Sequence, residues 1–352
     1  MSKLEWTNVL RALPIAWMWR TIPEFENLSP FRDEPGKVPL AVSLRNAVFD
    51  TVFYNTMSLS NEEKASLLAR TFSYDEGGML YVHPSKENRE IEYFDRSKTL
   101  LDAHPELEVV TIAGVGSSVI GTAAFARQVS DAVGQPAVGI IAGYGAADVM
   151  SEALGGFFDF GRRNMFQAYI DKLEAYQDGS SSVDNRGLAK KYDVLSVTYL
   201  AEEPESNTLL NIMLRHADKL KLVVGHSKGA LNIGNVLREF VKETKLDASS
   251  YEKLAIVTLG CGVTLPAKFK NVHQYVGSWD VLGQFNTPFE IKRHPKHHCL
   301  ETVAHKGHNL VNTNPFHLPL DELLQKAGEQ DEPAKHHATM PRRLTHAATS
   351  RH

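Results

Sequence analysis

From about residue 107 onward, short apolar runs that close on glycine alternate with longer segments of helical period. This alternation narrows the fold more than any other feature of the chain. LEVVTIAG (107–114) is a β-branched run ending on Gly114, and PAVGIIAGYG (136–145) repeats the theme. YDVLSVTYL (192–200), LKLVVG (220–225), LAIVTLG (254–260), VHQYVGSWD (272–280) and HCLETVA (298–304) continue it. Runs that are apolar at consecutive positions bury both faces of a strand, the condition inside a parallel sheet covered by helices. VGSSVIGTAAFARQVSDAV, TLLNIMLRHADK and GALNIGNVLREFVKE supply helices between them. The expected fold class is α/β, a doubly wound and mainly parallel sheet.

Residues 1–105 read differently. SLSNEEKASLLARTF places Ser60 three residues before Glu63, the spacing of a capping box. KENREIEYFDRSKTLLDA reads as a helix or helix pair, and strand alternation is not evident. The expected organisation is an N-terminal helical extension (1–105), an α/β core (106–328) and a flexible polar tail (329–352).

A net charge of −4 and a pI near 6.4 argue against a nucleic-acid partner. Cys261 and Cys299 are too few for a disulfide framework, and a reducing, cytoplasmic setting is the simplest expectation. No run is long and apolar enough for a spanning helix. Near the N-terminus Trp6, Trp17 and Trp19 lie among basic residues, a composition suited to peripheral membrane contact; a helix packed on the domain is the preferred alternative. GVGSSVIG matches neither G-x-G-x-x-G nor the P-loop, so no cofactor is expected. His294, His297, His298 and Cys299 are crowded in a basic turn without a paired ligand motif, so no metal is expected.

One turn carries chemistry. Gly225-His226-Ser227-Lys228-Gly229 follows the run LKLVV and precedes an amphipathic segment with Leu231, Val236, Leu237, Phe240 and Val241. G-x-S-x-G alone is common by chance; its meaning comes from a strand before and a helix after. A sharp strand-to-helix turn would strain the serine backbone, leave no room for a Cβ on either flank and set Ser227 at a helix N-terminus, where developing negative charge is favoured.

VVGHSKGAL resembles the nucleophile elbow of α/β hydrolases, in the Gly-His-Ser-x-Gly subset of lipases and esterases. The resemblance covers roughly residues 107–325 and departs from the family at Lys228, where an apolar residue is common. The lysine head either perturbs the site or snorkels to solvent. The resemblance implies an α/β-hydrolase fold and a triad in the chain order Ser, acid, His. Asp280 follows the run VHQYVG and is the expected acid, with Glu290 and Glu301 as runners-up and a turn or helix-cap role as the plain alternative. The base is expected after HCLETVA: His308, ahead of His305 and then His317. The oxyanion hole would take the backbone N–H of Lys228 and, from AGVGSS, that of Val115; Gly143 and Tyr144 in AGYGAAD compete, and Ala113 stands where the family keeps its His-Gly histidine. Gly155 to Gly161, with three phenylalanines, reads as core packing or an acyl-pocket lining, and Tyr144 and Trp279 are candidates to face the pocket.

The implied activity is hydrolysis of a carboxylic ester, lipid-like or small, through an acyl-enzyme on Ser227. The rival is a binding or scaffold protein that keeps the fold without catalysis.

Overall fold

A computed structural model describes residues 50–69, 77–114, 117–142, 204–244, 251, 253–288, 291 and 300–329. Within them, eight strands form one sheet: β1 (Met79–Val82), β2 (Glu92–Phe94), β3 (Val109–Ile112), β4 (Ala137–Ile140), β5 (Leu222–His226), β6 (Ala255–Leu259), β7 (Val272–Gly277) and β8 (Leu300–Val303). Their spatial order is β2-β1-β4-β3-β5-β6-β7-β8. β4, β3, β5, β6, β7 and β8 pair in parallel, whereas β1 runs antiparallel to both β4 and β2.

The helices are α1 (Asn61–Ala69), α2 (Ser97–Ala103), α3 (Val119–Val133), α4 (Pro204–His216), α5 (Lys228–Glu243), α6 (Val281–Asn286) and α7 (Leu320–Glu329). Successive strand residues face opposite ways, and the two faces are covered by different helices. Val109, Val224, Val257 and Leu259 join α3 residues such as Ala124 and Val129 and α7 residues Leu320 and Leu324 in one cluster. Val110, Ile112, Val223 and Ile256 join Leu209, Ile212 and Met213 of α4 and Ile233, Leu237 and Phe240 of α5 in the other. β3, β4, β5 and β6 are buried at every position, which is why they read as continuous apolar runs. Each fully buried Leu, Ile or Phe in these layers contributes about 1.5–3 kcal/mol.

Local signals set the helix ends. The Ser60 N–H donates to Glu63 Oε2 at 2.8 Å and the Glu63 N–H donates to Ser60 Oγ at 3.1 Å, the reciprocal capping box expected before α1. Ser118 caps α3 by accepting from the Ile120 N–H, and Gly134 closes it at φ 72°.

The helical expectation for residues 1–105 is corrected between 79 and 94. MLYV and EYF are strands, and β1 is buried at all four positions against β4. Four and three residues are too few to show alternation, and tertiary pairing decides them. KENREIEYFDRSKTLLDA accordingly holds β2 and α2, not a helix pair. Residues 1–49, the candidate strand 192–200, the 155–161 segment and the 330–352 tail lie outside the described residues.

The chain steps from β3 outward to β4 on one side, whereas β5 pairs with β3 on the other side. At such a reversal the loops beyond the strands' carboxyl ends diverge and leave a crevice, the usual place for a site in an open α/β sheet.

Candidate active site

Ser227 stands at the carboxyl end of β5, where strand turns into α5 without an intervening loop. Its backbone adopts φ 52°, ψ −117°, one of three non-glycine residues with positive φ among the described residues. Such a conformation is strained for an L-residue and persists only where the surroundings impose it. Both flanking glycines show what imposes it. A Cβ on Gly225 would lie 2.7 Å from the Ala230 nitrogen, and one on Gly229 would run into the Ile112 carbonyl of β3. The Ser227 N–H is held by the Leu259 carbonyl at 2.8 Å, and its own carbonyl accepts from the Ala230 N–H at 3.0 Å. Its side chain caps nothing in α5.

Asp280 and His308 meet. Asp280 Oδ2 lies 2.5 Å from His308 Nδ1, while Oδ1 accepts the Gly283 N–H at 2.7 Å. One carboxylate thus caps a helix and meets an imidazole at once, with an oxygen for each. Asp280 is 3% exposed, and the cap's N–H and the imidazole are the polar partners its buried carboxyl group meets. An Nδ1–H that donates to the carboxylate leaves His308 Nε2 as the basic nitrogen. The His308 ring packs on Gly260, where a Cβ would lie 2.6 Å from Cε1. Gly260 directly follows Leu259, the residue that holds the Ser227 N–H. The thiol of Cys261 reaches the Ser227 carbonyl at 3.4 Å, and burial pushes that thiol well up. Serine turn, acid and imidazole therefore gather at the carboxyl ends of β5, β6, β7 and β8.

The runners-up stand elsewhere. His305 is exposed; its N–H donates to Ser278 Oγ at 2.6 Å and its ring meets the Trp279 indole N–H at 3.4 Å. His317 Nδ1 bonds the Asn314 carbonyl. Glu301 points away on β8 and pairs with Lys326 at 2.6 Å. Trp279 is 60% exposed and packs against Phe316, not into a pocket. Glu290, Val115, Gly143 and Tyr144 lie outside the described residues, as do His294, His297, His298 and Cys299.

The snorkelling alternative for the Lys228 head is corrected. It does not snorkel: its ammonium pairs with Glu205 at 3.2 Å, and both side chains are 1% exposed. Glu205 lies in the first turn of α4, which packs along α5, and it also accepts from Asn232 Nδ2 at 3.1 Å. A partner inside the helix pair removes the need to reach water. The Lys228 backbone N–H remains in the first turn of α5, one residue after Ser227.

A further set of residues crowds the serine from the other side. Tyr54 Oη accepts the Gly114 N–H at 2.6 Å and lies 2.9 Å from His226 Nδ1. His226 Nε2 lies 2.9 Å from the His308 carbonyl. Gly114 is so close that a Cβ on it would sit 3.1 Å from Ser227 Cβ. Burial, then the neighbouring His308, push the His226 imidazole down to about 3. Burial also raises the Tyr54 phenol far above its ordinary value, so it stays protonated. Nearby, the Leu310 N–H donates to Phe53 O at 2.8 Å, and the Phe53 ring meets His308 edge-on at 5.9 Å. Asp50 accepts from Ser118 and Gly121 N–H at 3.1 Å each, at the start of α3; burial pushes its carboxyl up to about 7 against the pull of those donors. Sequence reasoning missed Phe53 and Tyr54 entirely. Tyr54 is 172 residues from His226, and no local pattern marks such a contact.

Comparison with protein-family models, with curated proteins and with solved structures gives no match.

Proposed function

We propose that this chain is a serine hydrolase of the α/β-hydrolase type that cleaves a carboxylic ester. The observation that carries the reading is the 2.5 Å contact between His308 Nδ1 and Asp280 Oδ2, beside a serine held at φ 52° on a strand-to-helix turn. Each partner follows its own strand, in the order serine after β5, acid after β7 and histidine after β8.

In this reading His308 Nε2 takes the Ser227 hydroxyl proton as Oγ attacks the ester carbonyl. Asp280 holds the tautomer and the imidazolium that forms. The tetrahedral oxyanion develops beside the Lys228 N–H at the start of α5, with Val115 proposed as second donor. Collapse expels the alcohol, which receives the proton from His308. Water, activated by the same imidazole, then releases the acid and restores Ser227. A lipid-like acyl group is the proposed substrate class, supported by the resemblance of VVGHSKGAL to lipases and esterases.

The test is labelling with a fluorophosphonate probe, comparing the native protein with Ser227→Ala. Labelling that disappears in the variant is expected, and a series of p-nitrophenyl esters then sets the preferred acyl length. A well-folded native protein that takes no label would sink the enzymatic reading and leave a binding or scaffold protein with this fold. Labelling that survives in Ser227→Ala would place the nucleophile elsewhere.

A further inference from the structure

His226 occupies the variable position before the serine, and the triad chemistry gives it no task. Its two nitrogens are nonetheless both engaged, and their partners fix the direction of every proton. The His308 carbonyl can only accept, so His226 Nε2 carries the hydrogen. The ring is fully buried and neutral, so Nδ1 carries none and accepts from the Tyr54 hydroxyl. Tyr54 Oη in turn accepts from the Gly114 N–H. The result is one directed chain: Gly114 N–H to Tyr54 O–H to His226 Nδ1, and His226 Nε2–H to the His308 carbonyl. One end of the chain is the loop after β3, where a Cβ added to Gly114 would sit 3.1 Å from Ser227 Cβ. The other end is the backbone of the proposed base.

We propose that Tyr54 and His226 are positioning residues that tie the loop after β3 to the loop bearing His308, so that both flanks of Ser227 keep one spacing. This inference rests on the serine-hydrolase reading. It assigns a role in the site to the 50–55 segment, which also contributes the Phe53 ring on His308 and the Phe53 carbonyl to the Leu310 N–H. The Tyr54 and His226 rings meet edge-on at 5.4 Å, and Phe125 packs against both. The chain is therefore shielded from water, where a hydrogen bond orients its partners most firmly.

The experiment combines inactivation kinetics with histidine NMR. Tyr54→Phe deletes one hydroxyl and conserves the ring. Its maximal rate of fluorophosphonate inactivation should fall about tenfold with the probe's half-saturating concentration unchanged. His226→Ala should fall about a hundredfold, the scale of a misplaced catalytic group. His226→Gln restores a donor near the His308 carbonyl and should recover most of that loss. A purely structural role would lower the fraction of molecules that can be labelled and leave the rate of the remainder intact. In nitrogen-15 spectra, the His226 signal, assigned by its loss in His226→Gln, should stay that of the neutral Nε2–H tautomer from pH 5 to pH 8, with Nδ1 shifting in Tyr54→Phe.

Native rates in Tyr54→Phe and His226→Ala, with Ser227→Ala unlabelled, would overturn the positioning role and leave the hydrolase standing. An Nδ1–H tautomer or a charged ring would overturn the directed chain. An unlabelled native protein with the expected His226 spectrum would overturn the hydrolase reading, and the positioning role with it.

Discussion

Two pieces of backbone flank Ser227, and they are held by different means. The turn from Gly225 to Gly229 is shaped by its own sequence, two glycines with no room for a Cβ, a strand behind and a helix ahead, and is braced by β3 and the Leu259 carbonyl. The opposite flank, Gly114 with the His308 loop, is held by side chains far from it in sequence, Tyr54 and, reaching across from the turn, His226. Neighbours in sequence shape most of the first at low entropic cost, and the adjoining strands brace it. The second must close long loops before any bond forms, so it depends on the whole sheet being in place. Substitutions should therefore act locally and on stability at the turn, and on rate at the opposite flank.

The widest separation should come from Asp280→Asn. Asparagine keeps an oxygen for the Gly283 N–H, so α6 stays capped, but it offers His308 an amide and favours the wrong tautomer. The fluorophosphonate labelling rate should fall about 10³–10⁴-fold with little change in unfolding midpoint. A loss under tenfold would detach Asp280 from the chemistry. Next is Glu205→Gln, beneath the turn. It leaves the Lys228 ammonium buried beside a neutral amide, and urea unfolding should show a loss of about 3 kcal/mol. The double variant with Lys228→Met should regain most of it; if it does not, the pair has a role beyond mutual neutralisation. Gly225→Ala should follow, at about 2 kcal/mol, because the added methyl meets the first turn of α5 and the Ile233 side chain. An unchanged midpoint there would mean the turn relaxes freely and the strain at Ser227 is not enforced.

The smallest effect is a pair of opposed slopes on the other flank. His226 is held near 3 in the fold against an ordinary 6.5, so the unfolded chain binds more protons between those values. Its contribution to stability is complete above about 6.5 and is lost as pH falls toward 3. Asp50 is raised to about 7 from 3.8, so the folded protein binds more protons in that window. Its contribution is complete below about 3.8 and is lost as pH rises through 7. Between about pH 4 and 6.5 the two cancel. Asp50→Asn should expose a stability that rises with pH, and His226→Gln one that falls, each at most about 1.4 kcal/mol per pH unit. Denaturant midpoints across that range decide it, and parallel slopes in the two variants would contradict the assignment.

Legibility followed sequence distance. β3 to β6 were readable because burial on both faces writes continuous apolar runs, α3, α4 and α5 because of their helical period, and the serine turn because its glycines lie within five residues of each other. β1 and β2 were not, since strands of four and three residues owe their state to β4. Asp280 and His308 were readable as an order of candidates. Only the distance between them separated His308 from His305 and His317.

The amino-acid sequence by itself determined an alternating α/β chain with a serine at a strand-to-helix turn, because apolar periodicity and the glycine spacing around the serine are written in neighbouring residues. Tertiary structure alone decided that Lys228 turns inward to Glu205, that Asp280 caps a helix and meets an imidazole at once, and that Tyr54 reaches across to Gly114 and His226. Each of these is a meeting of polar groups brought together by burial of the sheet, and a buried polar group takes whatever partner the fold sets beside it.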